Sequence, residues 1–386
     1  MTGRHRYIGL MSGTSLDGID GVLVEFAGEG GVQVLGHASV ELPPTLRTEL
    51  LALNTPGDDE IHRAALCANA LVRCYADVVG QLLATRDGDA TNPSDVIAIG
   101  AHGQTVRHRP GEFDGIGYTV QLNNPALLAE LTGIDVVADF RTRDLAAGGQ
   151  GAPLVPAFHR AVFGRKDETV AVLNIGGIAN LSVLPPQGAV NVAGRATSAG
   201  VVLGFDCGPG NALMDHWCRL HTQQPFDRAG RWAASGQVMP DLLADLLSDA
   251  YFSKSPPKST GRDLFHPQWI SASIADRTVN PADVQATLAE LTAVSCANDV
   301  QLHAHAAREL IVCGGGAFND HLMARLGARL PSINVISSEV RGLPPQQVEA
   351  TAFAWLARAT IQREHGNLAS VTGARSGRVL GAIYPK

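Results

Sequence analysis

Two stretches of the chain read alike: Tyr7-Ile-Gly-Leu-Met-Ser-Gly-Thr-Ser-Leu-Asp-Gly-Ile-Asp-Gly-Val-Leu-Val-Glu25 and Val170-Ala-Val-Leu-Asn-Ile-Gly-Gly-Ile-Ala-Asn-Leu-Ser-Val183. In each, an apolar run enters a glycine-bearing turn and a second apolar run leaves it, the pattern of strand, tight turn and strand. A third glycine segment, Cys313-Gly-Gly-Gly-Ala-Phe-Asn319, follows the apolar run Glu309–Cys313 and precedes a helical pattern. Glycine lets backbone amides approach a phosphate without Cβ interference, the hydroxyls of Thr14 and Ser15 add donors, and a helix start after Gly316 would add a favourable dipole. One such turn alone is equally an ordinary hairpin. Three at strand ends, two of them repeating each other, predict two related α/β halves that grip phosphates. Lys258-Ser-Thr is preceded by Pro257, and no GxGxxG opens a βαβ unit, so neither a Walker A loop nor a dinucleotide fingerprint supplies the site.

Outward from these turns, strands are expected at Tyr7–Met11, Gly21–Glu25, Val32–Val40, Val96–Ala101, Tyr118–Gln121, Asp135–Ala138, Val170–Leu173, Ile178–Val183 and Glu309–Cys313. Apolar residues at three-to-four spacing predict a helix from about Asp58 to Ala84. The last third reads as helix-rich, with Met239–Ala250, Pro281–His305, Phe318–Leu330 and Glu349–Arg363. Gly-Pro-rich seams at Ala146–Pro156 and Pro185–Gly204 are candidate hinges or loops.

The 386 residues are 45% hydrophobic and 17% charged, the range of a folded globular chain. A net charge of −7 gives no field favouring nucleic acid or an anionic membrane. Only four of the 30 bases are lysines, so phosphate chemistry must lean on backbone amides, arginines or a metal ion. The six cysteines form no CxxC pair, and neither a signal peptide nor a membrane span is written in the sequence. A cytoplasmic chain with reduced thiols, no membrane and no nucleic-acid partner is expected. Ser255-Pro-Pro-Lys258 matches SxxK, but its prolines oppose the helical turn that motif requires. His303 and His305, two apart on a helix, would face away from each other.

Gly9-Leu-Met-Ser-Gly-Thr-Ser-Leu-Asp-Gly-Ile-Asp20, Gly103-Gln-Thr105, Ala138-Asp-Phe-Arg141, Ala147-Gly-Gly-Gln-Gly-Ala-Pro-Leu-Val-Pro156, Asn174–Asn180, Gly204-Phe-Asp-Cys-Gly-Pro-Gly-Asn211 and Lys258-Ser-Thr-Gly-Arg262 together resemble the anhydro-N-acetylmuramic acid kinase family. The motifs stand in the family's order and span nearly the whole chain. The resemblance implies the α/β, two-lobed actin-like ATPase (ribonuclease H-like) fold with a central interdomain cleft. Residues 1–140, completed by 365–386, would form one lobe and 141–364 the other. It implies a reaction in which water opens the 1,6-anhydro ring and the freed O6 takes the γ-phosphoryl group of ATP. The product would be N-acetylmuramic acid 6-phosphate, formed in cell-wall recycling.

By the same resemblance Asp206 is the catalytic base, expected on a loop between strand-like Val201–Leu203 and a helix beginning near Asn211. ATP is expected at Gly13, Thr14, Ser15, Leu16, Asp17, Gly18, Ile19 and Asp20, at Asn174, Gly176 and Gly177, and at Gly314, Gly315 and Gly316. Phosphoryl transfer calls for Mg²⁺, with Asp17 and Asp20 able to hold it through water and its direct ligands unassigned. The lactyl carboxylate of the sugar calls for an arginine fork, offered by Arg141 or Arg143. His102, Asp144 and Glu349 complete the candidate substrate residues. The partners expected are the anhydrosugar and ATP, with a homodimer as the candidate assembly. Two other readings stay open: an ordinary amino-sugar kinase whose aspartate deprotonates a free hydroxyl, and a nucleotide-responsive regulatory protein of the same fold. Residues Gly188–Ala199 look like a small-residue insertion that touches no motif.

Overall fold

A computed structural model describes residues 6–13, 16, 18–27, 31–84, 91–187, 191–192, 195–196, 200–261, 264–275 and 277–386. The chain divides into two compact units, Met1–Val162 with Gln347–Lys386, and Phe163–Gln346.

The first unit is built on an antiparallel meander of β1 (Arg6–Ser12), β2 (Gly18–Ala27) and β3 (Gly31–Glu41). Parallel to β1 runs β4 (Val96–Ala101), and parallel to β4 runs β5 (Val136–Ala138). Helix Glu60–Leu83 covers one face through Leu71, Tyr75 and Val78. Helix Val348–Ile361 covers the other: Gly9 and Gly100 are register partners, and a Cβ on either would overlap a carbonyl oxygen of that helix, Ala350 or Phe353. Two facing glycines therefore let the helix backbone rest on the two central strands.

In the second unit β6 (Val170–Ile175), β7 (Ile178–Leu184) and β8 (Leu203–Pro209) form another antiparallel meander, followed by parallel β9 (Glu309–Cys313) and β10 (Asn334–Ser337). The order β8-β7-β6-β9-β10 repeats β3-β2-β1-β4-β5 in sequence and in strand sense. This is a ribonuclease H-like sheet present twice, the arrangement of an actin-like ATPase. Helix Pro281–His303 is buried along most of its length, and Gln285, Thr287, Glu290, Thr292, Ser295 and Asp299 are buried among its apolar residues. The last strand, β11 (Ala382–Tyr384), returns to the first unit and pairs antiparallel with β5.

Three expectations are revised. The division falls at 162/163 and 346/347, not at 140/141 and 364/365. Helix Val348–Ile361 is a face of the first sheet, and Asp144 ties residues 144–151 to Asn367 and Thr372 of the same unit. Asp206 lies within β8, not on a loop. Gly315–Phe318 is a short 3₁₀ turn, and the following helix, Asp320–Arg329, starts later, with Asn319 accepting the Leu322 amide. The insertion Gly188–Ala199 falls largely outside the described residues. No described helix is long and apolar enough to cross a membrane, and all six cysteines are buried and outside any disulfide.

Candidate active site

Asp206 sits where the pairing of β8 with β7 slips. It pairs with Asn180, and the register shifts before Gly208. A bulge re-aims side chains at such a point; here Phe205 and Cys207 are both buried while Asp206 keeps partial access to solvent. The loop after Pro257 wraps the aspartate. Its Oδ2 accepts the Thr260 backbone N–H at 2.9 Å and the Ser259 hydroxyl at 3.0 Å. Its own N–H donates to the Lys258 carbonyl at 3.2 Å, and the Tyr251 hydroxyl donates to its carbonyl at 2.7 Å. Among the described residues no donor meets Oδ1. Burial pushes the Asp206 carboxyl up, against the lowering effect of the Thr260 amide, the Ser259 hydroxyl and the Lys258 charge. One carboxylate oxygen is thus fixed by two donors, and the other is left without a described donor.

The glycine segments of the second unit meet at the same end of their sheet. The turn after β6 receives the helix Asn211–Thr222: Gly210 N donates to Gly177 O at 2.9 Å and Asn211 N to Gly176 O at 2.8 Å. Asn211 Nδ2 donates to Ile175 O at 3.0 Å. Gly314, at φ +77°, packs on Asn174 and Ile175, where a Cβ would lie 2.7 Å from Ile175 O. Asn174, Gly176, Gly177, Gly314, Gly315 and Gly316 are thus brought together, and no described group takes the amides of Gly176, Gly177, Gly315 or Gly316. Cys313, on the adjoining strand, is buried.

In the first unit the β1–β2 turn includes Gly13 and Leu16, with Leu16 N bonded to Gly13 O at 3.1 Å. Thr14, Ser15 and Asp17 lie outside the described residues. Leu16 and Ile19 are core side chains, so any ligand contact there is a backbone one. Gly18 opens β2, and Asp20 on it is 3.4 Å from His37 Nε2.

A polar cluster gathers beside β1 and β4. Ser12 Oγ donates to Gly103 O at 3.1 Å and meets the Tyr75 hydroxyl at 3.0 Å. Arg141 donates to Gly151 O at 2.8 Å and to His102 Nε2 at 2.9 Å, while its Nε is buried without a partner. Burial lowers Arg141 to about 10, with Glu349 and Asp144 acting to raise it. Burial, with Asp20 nearby, raises the Glu349 carboxyl, and Arg141 draws it back. His102, Arg141 and Glu349 are therefore gathered, whereas Arg143 is exposed. Asp144 is fully buried: Oδ2 accepts Gly151 N at 2.7 Å, and Oδ1 accepts from Asn367 Nδ2 and, at 2.7 Å, from the Thr372 hydroxyl. Its oxygens serve the fold, so its place is support of the Arg141 loop and not substrate contact.

Sequence reasoning left Ser259 and Thr260 unassigned, although Lys258–Arg262 was a recognisable motif. Among the described residues no group of three His, Cys, Asp or Glu could hold a metal ion. Residues 5–386 match the family model described as anhydro-N-acetylmuramic acid kinase.

The chain belongs to that family.

A curated anhydro-N-acetylmuramic acid kinase of Variovorax paradoxus is 67% identical over 98% of this chain and 98% of its own length. One from Albidiferax ferrireducens is 61% identical, covering 98% and 99%. Among solved structures, the activator of 2-hydroxyisocaproyl-CoA dehydratase from Clostridium difficile with bound ADPNP aligns at a TM-score of 0.44 and 12% identity, over 90% of this chain and 92% of that one. The anhydro-N-acetylmuramic acid kinase family is a phosphotransferase family, and the match takes in 98% and 99% of the two curated relatives' own lengths.

Proposed function

We propose that the chain is an ATP-dependent kinase that hydrolytically opens the ring of 1,6-anhydro-N-acetylmuramic acid and phosphorylates O6. The observation that carries this reading is Asp206, with Oδ2 held by Thr260 and Ser259 and Oδ1 left open. In the proposed reaction that oxygen takes a proton from water as the water oxygen bonds to C1. The C1–O6 bond breaks, and O6, carrying its electron pair, attacks the γ-phosphorus. The bond from the γ-phosphorus to the β-bridging oxygen breaks, ADP leaves, and the proton on Asp206 passes to solvent. Because O6 receives the phosphoryl group, its departure needs no separate proton donor.

The open amides of Gly176, Gly177, Gly315 and Gly316 suit a nucleotide's phosphates, and Gly13 with Gly18–Asp20 is proposed as a second phosphate-facing turn. Mg²⁺ would neutralise the triphosphate when bound. Asp20, on β2 just after that turn, is the described carboxylate there, already beside His37, and no step above is routed through the ion. Arg141, a cation with an unpartnered buried Nε, suits the lactyl carboxylate, and Glu349 and His102 would border the sugar. A cytoplasmic place in cell-wall recycling agrees with six buried cysteines outside any disulfide and the use of ATP. A homodimer completes the proposal and is open to light scattering.

Product analysis in ¹⁸O-labelled water tests the reaction. A 6-phosphorylated sugar carrying one heavy oxygen supports coupled hydrolysis and transfer. Phosphorylation without the label means a plain sugar kinase, and no product with ATP still bound means a regulatory protein.

A further inference from the structure

Of the four lysines only Lys258 is buried; Lys166, Lys254 and Lys386 are exposed. Its Nζ lies 3.0 Å from both carboxylate oxygens of Asp299 on helix Pro281–His303. The ammonium also stands 5.4 Å from the Tyr251 ring centre and 5.6 Å from that of Phe205. A buried ion pair brings little net stability, because desolvating two charges offsets their attraction. This one lies directly beneath the catalytic candidate: Phe205 precedes Asp206, Tyr251 holds its carbonyl, and Ser259 and Thr260 follow Lys258 in the chain.

We propose that Lys258, pinned by Asp299 between Phe205 and Tyr251, is a positioning residue that holds the Ser259–Thr260 donors against Asp206 Oδ2 and supplies the positive charge behind that carboxylate. The proposal rests on Asp206 being the base. The side chain fastens the loop from inside, while its carbonyl accepts the Asp206 N–H at 3.2 Å. The charged or titratable groups around Asp206 are Lys258 on the loop, Tyr251 and Lys254 on the turn before it, Cys207 on its own strand, and Asp299, Cys296 and His303 on the long helix. Lys258 is the cation among these that acts directly on Asp206, lowering its carboxyl.

Lys258→Met alone would leave Asp299 as a buried, unpaired carboxylate, so the deciding variant is Lys258→Met/Asp299→Leu, which removes both charges together and is expected to fold. The readouts are the pH profile of kcat/KM, kcat and KM at the plateau, and Tm. With the charge and its anchor gone, the acid limb is expected to move up by about one pH unit, the scale of one charge-assisted hydrogen bond, with kcat down about tenfold and sugar KM nearly unchanged. Lys258→Arg, which keeps the charge beside Asp299, is expected to keep the acid limb where the native enzyme has it. A double variant with native limb and kcat, changed only in Tm, overturns the proposal by making the pair purely structural. An Asp206→Asn enzyme that retains turnover overturns the base reading itself, a separate result.

Discussion

Arg141 Nη2 lies 2.9 Å from His102 Nε2, and a guanidinium can only donate, so the imidazole must be neutral with its proton on Nδ1, directed at the Ser12 carbonyl 3.3 Å away. Burial, helped by the Arg141 charge, lowers His102 to about 3. In the unfolded chain it titrates near its ordinary 6.5, so between these values the unfolded state holds the extra proton. Stability therefore falls as pH drops below about 6.5, by at most about 1.4 kcal/mol per pH unit for one such group. His159, also lowered to about 3 by burial, acts in the same sense. Urea unfolding at several pH values should show His102→Gln losing roughly half of this joint slope; an unchanged slope would refute the neutral buried imidazole.

Arg141, whose buried Nε has no partner, is proposed over the exposed Arg143 as the ligand of the lactyl carboxylate. Arg141→Lys keeps a charge but loses the fork, and one charged hydrogen bond lost corresponds to about a tenfold or greater rise in KM. The rise should appear with 1,6-anhydro-N-acetylmuramic acid and be small with the anhydrosugar lacking the lactyl group. Equal losses on both sugars would remove Arg141 from carboxylate recognition.

Asp144→Ala would strand three buried donors, on Gly151, Asn367 and Thr372. At about 1–3 kcal/mol for each unpaired group, the expected destabilisation is at least about 3 kcal/mol. Denaturant unfolding reads it directly; a loss below 1 kcal/mol would contradict the support role given to this residue.

Two glycine substitutions should part company. Gly314→Ala puts a methyl against Asn174 and Ile175 at φ +77°, inside the proposed phosphate cradle. Gly100→Ala puts one against the Phe353 carbonyl, within the first unit's packing. Calorimetry with ATP should find the first weakened in nucleotide affinity beyond its change in Tm. The second should lose Tm, with the ATP affinity of its folded fraction kept. Equal ATP affinity in Gly314→Ala and the native protein would dismiss the cradle.

Much of the sheet framework was legible in the sequence because its strands are apolar runs that end on glycine. Val96–Ala101 and Glu309–Cys313 stand as expected, and the helices expected from Asp58 and Pro281 differ from those found by a few residues at their ends. Strand Leu203–Pro209 was hidden because its glycines and proline read as a turn, although Phe205 and Cys207 alternate toward the core. Gln104–Pro110 was missed because Arg107, His108 and Arg109 mask a hairpin that pairs only with Gly117–Leu122, outside both main sheets. Ser259 and Thr260 reach Asp206 across 53 and 54 residues, a link that no local pattern carries. The division of the chain was misplaced because tertiary packing decides which sheet helix Val348–Ile361 covers; buried residues surround it, and its own periodicity does not point to one face.

In the proposed reaction Asp206 activates the water that opens the ring. The most direct test of that role is single-turnover kinetics of Asp206→Asn with 1,6-anhydro-N-acetylmuramic acid, ATP and Mg²⁺, with binding of sugar and nucleotide measured on the same preparation. Turnover is expected to fall by about 10²–10⁴-fold, the usual contribution of a general base, with both affinities near native. A variant that binds both ligands and turns over within tenfold of the native rate would contradict that role.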